Sequence, residues 1–132
     1  MGFFFEFDET NNIIRCCWEG RIADETLFEC HSAAERLLAS HPHSRTIDDF
    51  GGVSKLDVSS EAINRMTNMQ PLVGAKSMHV IVAPKDFIYG LSRMFSILGD
   101  RTRPHVHVVR TMEEAYGLLK VTSPQFSRVS PA

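Results

Sequence analysis

Residues 44–66 read SRTIDDFGGVSKLDVSSEAINRM, and their pattern decides the fold class. Arg45 to Phe50 has the character of a short buried strand. Gly51 and Gly52 break the run into a loop, and Ser59 stands where a helix is capped, since its hydroxyl can accept a free N–H of the first turn. A strand that passes through a loop into a helix puts that loop at the carboxyl end of a sheet, where open α/β folds present ligand and partner sites.

The same alternation continues on both sides. Upstream, ADETLFECHSAAERLLASH spaces Leu27, Cys30, Ala34, Leu37 and Leu38 three and four residues apart, with Asp24 and Glu25 at the positive end of the dipole and Pro42 beyond the last turn. Before it, Phe3 to Phe7 and IIRCCWEG are period-two runs joined by DETNN, which predicts a β-hairpin. Downstream, Ile63, Met66, Met69 and Val73 extend the apolar stripe of the helix opening at Ser59, up to Pro71 or Gly74. SMHVIVAPKD is a strand ended by Pro84, and Phe87 to Leu98 a helix closed by Gly99. HVHVVR is a further strand, and TMEEAYGLL a helix whose Thr111 and Glu114 have capping-box spacing.

The resulting order, β-β-α-β-α-β-α-β-α, places a helix in every later crossover. It predicts an α/β fold with a mostly parallel five-stranded sheet whose first strand is antiparallel. Because His79, His105 and His107 interrupt the apolar strands, one sheet face reads as less covered; helices are expected mainly on one face, with these histidines on the other. Residues 1–121 read as a single domain and 122–132 as an extended or mobile tail. The first strand, aromatic and at the edge by the hairpin pattern, and the mixed sheet face with His79, His105 and His107 are pairing surfaces, and a homodimer burying part of one or the other is predicted.

Composition bounds the function classes. A chain of 132 residues with 43% hydrophobic and 23% charged content can bury a core without a metal or disulfides, and a net charge of −2 supplies no field that would draw nucleic acid. No apolar run reaches the length of a membrane span, and the first residues lack a basic lead and cleavage site, so a cytoplasmic protein is expected. The three cysteines, Cys16, Cys17 and Cys30, read as buried thiols.

The spacing Asp49-Phe50-Gly51-Gly52-Val53-x-x-Leu56-Asp57, followed by Ser59-Ser60 at a helix start, resembles the central motif of the STAS family, the SpoIIAA-like anti-sigma-factor antagonists. The likeness covers about residues 3–120. Gly20-Arg21-Ile22 and Arg93-Met94-Phe95 further resemble a divergent bacterial STAS-like group, related in fold to the CRAL-TRIO lipid-transfer domain. The resemblance implies a non-enzymatic regulatory module with a protein partner, its binding loop comprising Asp49, Gly51, Gly52, Asp57, Ser59 and Ser60. It also implies Ser59 or Ser60 as phosphoacceptor. Val58, inserted before the serine pair, and Glu61, where the family has glycine, depart from the pattern. The lipid-transfer relationship implies an alternative, a carrier of a small hydrophobic ligand with a pocket between the second and third helices lined by Met66, Met69, Phe87, Met94 and Phe95.

Other constellations weigh less. His79, His105 and His107 form a conceivable three-nitrogen set, but alternating polar residues on a half-exposed face account for them, so no metal or cofactor is expected. Asp48 and Asp49 are adjacent on a strand and point to opposite faces, which separates them as an acid–base pair. Asp49 is expected to anchor the Gly51-Gly52 turn. Lys85, Arg93, Arg101 and Arg103 read as a solvated basic rim. No nucleophile has a base at workable spacing, so no enzyme is expected.

Overall fold

The computed structural model describes residues 2–69, 77–99 and 105–131. Its elements are β1 (Phe3–Asp8), β2 (Ile13–Ala23), α1 (Asp24–Ser40), β3 (Arg45–Asp57), α2 (Ser60–Thr67), β4 (His79–Val82), α3 (Asp86–Leu98), β5 (Val106–Val109), α4 (Met112–Leu119) and β6 (Ser127–Val129). They build an α/β fold on one mixed sheet of six strands in the order β5-β4-β3-β2-β1-β6. Strands β2 to β5 pair in parallel, and β1 is antiparallel to both β2 and β6. The parallel links follow from their helical crossovers, and the antiparallel one from its short turn. That turn is held by Asp8, only 1% exposed, which accepts the backbone N–H and the side-chain amide of Asn11.

The sheet has one strand more than the five expected. The tail supplies it: Ser127–Val129 pairs with Phe5–Phe7 of β1, and Gln125 donates its N–H to Asp8. An edge strand needs backbone partners rather than an apolar period, so this segment's side chains did not announce it. Strand β1 is therefore paired on both sides over Phe5–Phe7, which covers part of one of the two surfaces on which the homodimer expectation rested.

Side-chain alternation sorts the core onto two faces. Ile14, Cys16 and Trp18 of β2, Ile81 of β4 and Val106 of β5 share a face with Cys30, Ala33 and Leu37 of α1 and Ile88 of α3. Ile13, Ile47, Val80 and Val82 pack on the opposite face against Ala115 and Leu119 of α4. Helices thus lie mainly on one face, and α4 covers the other. The histidines do not gather on a thinner side. The register His79↔Val106 sets His79 beneath α1 to α3, and His107, paired with Val80, falls on the α4 face.

Gly51 and Gly52 lie inside β3, not in a loop. Strand β3 stays paired with β2 as far as Ala23↔Asp57, through register shifts between Cys17 and Glu19 and between Gly20 and Arg21. A Cβ at Gly52 would stand 2.9 Å from the Trp18 carbonyl oxygen, so glycine here permits close backbone approach at a bulge. Gly20, at φ +70°, occupies the left-handed region the bulge requires.

Helix ends follow local rules. Thr111 and Glu114 form the expected capping box, each side chain accepting the other's backbone N–H at 3.1 Å. Helix α2 stops at Thr67, short of the expected stripe; Val73, Pro71 and Gly74 lie outside the described residues, as do Arg101 and Arg103.

Removing residues 125–132 should uncover the N–H and C=O groups of Phe5 and Phe7. The shortened chain is expected to self-associate more strongly than the full chain in sedimentation at matched concentrations; equal behaviour would mean β6 does not protect that edge.

Candidate functional site

Beneath α1, α2 and α3 the sheet floors an apolar cavity of about 200 Å³. Its walls come from residues that face one another only in the fold: Phe5, Ile14 and Ile81 from strands, Leu27 and Ala34 from α1, Ile63 and Met66 from α2, and Leu91 and Phe95 from α3. An apolar cavity of about 150 Å³ already accepts benzene.

One polar cluster sits in this floor. Asp48, between Ile47 and Asp49 on β3, faces the cavity because Ile47 packs towards α4 and Asp49 turns to Arg15 on that same face. Trp18 donates its indole N–H to Asp48 Oδ1 at 2.9 Å, and His79 Nε2 meets Asp48 Oδ2 at 2.5 Å. The indole also stacks on Phe50, with centroids 5.2 Å apart and planes 12° from parallel. A carboxylate in an apolar setting is costly unless hydrogen-bonded, and these two donors on flanking strands meet that need. Among the described residues lining the cavity, Asp48 is the one carboxylate, and neither lysine nor arginine is present.

Cys16 and Cys30 also line the cavity, their sulfurs 3.3 Å apart as free thiols. Burial, followed by the neighbouring Cys30, pushes the Cys16 thiol far above its ordinary range. Burial likewise pushes Cys17, on the opposite face, up to about 12. Neither supplies a thiolate nucleophile near neutral pH.

The residues singled out from sequence disperse. Asp49 points away from the cavity, pairing at 2.5 Å with Arg15, which also reaches Glu6 at 3.0 Å, and it accepts the Gly51 N–H at 2.8 Å. Asp48 and Asp49 thus serve opposite faces, as strand alternation requires. Asp57 pairs with Arg21 at the surface, where such a bridge contributes little. Ser59 is the N-cap of α2, accepting the Ala62 N–H at 3.0 Å, and its own N–H and hydroxyl both donate to Asp24 at 2.8 Å. Ser60 is the exposed first residue of α2. Of the pocket residues, Met66 and Phe95 line the cavity; Met69 and Met94 are not among its described lining, and Phe87 is 65% exposed on the outer side. The cavity lies between the sheet and three helices rather than between α2 and α3 alone.

The histidines do not converge. His79 is held by Asp48, His105 lies at the cavity's β5 side, and His107 is on the other face. Among the described residues no group of three or more His, Cys, Asp or Glu is placed to hold a metal ion, and no helix is long and apolar enough to cross a membrane.

Trp18 and Asp48 were not singled out as site residues. A signal existed in a charged residue centred in a buried strand, which demands partners; the sequence alone does not say which strands flank it.

No protein-family model matches the chain, and no curated protein matches it.

Two outcomes follow. Asp49→Ala should cost more than Ser59→Ala in denaturant melts, because it strips partners from half-buried Arg15 and from Gly51 at about 1–3 kcal/mol, against about 1 kcal/mol for a cap; the reverse order removes Asp49's anchoring role. The two Ser59 donors hold the Asp24 carboxyl below its usual range, so the contact stabilises fully above that range and is lost as pH falls through the lowered value. Asp24→Asn is therefore expected to melt below the parent at pH 7 and to converge on it in acid; a constant difference from neutral pH to below about pH 3 would refute the linkage.

Proposed function

We propose that this protein is a non-enzymatic binding domain that holds a small hydrophobic molecule in the cavity beneath α1, α2 and α3. The observation that carries the reading is the cavity itself. Apolar walls that water can reach cost free energy at about 25 cal/mol per Å². An occupant offsets that cost. The lipid-carrier resemblance agrees with it, and the raised pKa values of Cys16 and Cys17 suit thiols that pack rather than react.

A second reading, the STAS-like regulatory module, draws support from the surface around the end of β3. Gly51, Gly52, Ser54, Lys55, Asp57, Ser59 and Ser60 are all exposed there, available to a protein partner. Phosphorylation of Ser59 fits less well, since a phosphate would displace the Ala62 cap and confront Asp24. A bound ligand that braces α2 against the sheet would link both readings.

Native mass spectrometry of the freshly purified protein, with thermal shift, tests the primary reading. A co-purified small molecule, or a melting temperature that rises with added hydrophobic ligand, is expected. Ala34→Phe, which fills the cavity from α1, should abolish both effects while the chain stays folded. No adduct and no shift across a panel of apolar compounds would overturn the carrier, and stable capture of a protein partner through β3 and α2 would favour the module.

A further inference from the structure

The polar floor assigns a head group to the cavity's ligand. Resting on the binding reading above, we propose that the site selects an apolar molecule bearing one hydrogen-bond-donating head, a primary amine or hydroxyl, and rejects one bearing a carboxylate.

Asp48 carries the inference. A carboxylate has about four acceptor positions, and the structure fills one on each oxygen, with Trp18 on Oδ1 and His79 on Oδ2. The remaining capacity belongs to a side chain that lines an apolar cavity and keeps 24% of its surface accessible. Both partners sit on the strands that flank β3, with Trp18 stacked on Phe50 and His79 on β4 in register with Thr46. The carboxylate is thereby oriented before any ligand arrives, so a donor head meets a preorganised acceptor.

Charge completes the selection. Among the described residues, the other titratable side chains lining the cavity are Cys16, Cys30, His31, His79 and His105; none is a lysine or arginine able to receive an anion. The imidazole of His79 is already engaged by Asp48. Among the described lining, a ligand carboxylate would meet Asp48 with imidazoles but no lysine or arginine beside it, while an ammonium or hydroxyl would hydrogen-bond to it. The Trp18, Phe50, Phe5 and Phe95 rings make the apolar part of the site receptive to an aromatic body.

The test uses the full chain and four compounds of one shape: toluene, benzyl alcohol, benzylamine and benzoate, titrated near neutral pH by calorimetry with thermal shift in parallel. Benzylammonium and benzoate both surrender a full charge's hydration, so the sign of the charge is the variable. Benzylamine and benzyl alcohol are expected to bind at least about tenfold tighter than benzoate, the size of one hydrogen bond to a charged group. Asp48→Asn, which retains an acceptor for Trp18, should erase the preference for the amine but leave toluene unaffected; His79→Gln serves as a second variant if the first does not fold. Benzoate binding as tightly as benzylamine overturns the head-group assignment and leaves the cavity reading standing. Equal binding of all four compounds also overturns it. Absence of any binding, toluene included, overturns both.

Discussion

The parallel pairing of β2 with β3 is the contact on which the rest of the molecule depends. It runs from Ile13↔Arg45 to Ala23↔Asp57 through the centre of the sheet. Its register sets Cys16 beside Asp48 and Ile14 beside Thr46, and so lines up the row of side chains that floors the cavity. The opposite row carries Ile13 and Ile47 towards α4, with Arg15 and Asp49 joined across the strands. A one-residue slip would exchange the two rows, burying Arg15 beneath three helices and opening Trp18 to the weaker cover of one.

The bulges in that pairing shape what lies beyond it. Gly20 in the left-handed region and Gly52 against the Trp18 carbonyl let β2 and β3 stay paired, through two register shifts, beyond the residues of β3 that pair with β4. This extension delivers the chain to Asp24 and Ser59, where two helices begin side by side. Asp24 opens α1 and receives both donors of Ser59, the residue that caps α2. One carboxylate thus ties the entrances of two cavity walls, with Ser59 serving as both cap and clamp.

The cavity and the Asp48 cluster belong together energetically. Apolar walls that water can reach cost free energy, and an aspartate in an apolar setting costs more unless its partners are in place. Both features occur within one patch of sheet, beneath helices that leave the cavity part-open. Elsewhere the core is fully buried: Ile13 and Val80 on the α4 face and Leu37 beneath α1 are at most 1% exposed.

How much was legible in advance follows from the range of the forces involved. Hydrophobic period, capping residues and turn chemistry act within a few residues, and they determined the α/β class, the hairpin, the four helices, the capping box at Thr111 and Glu114, and the opposite faces of Asp48 and Asp49. Strand β6 escaped because an edge strand is recruited by backbone groups on a distant partner. Gly51 and Gly52 read as a loop because glycine marks a break and a bulge alike, and only the neighbouring Trp18 carbonyl distinguishes the two. The cavity, and the meeting of Trp18, Asp48 and His79 across 30 and 31 residues of chain, were decided by tertiary structure. Strand order and register, not local sequence, choose which buried charge meets which donor.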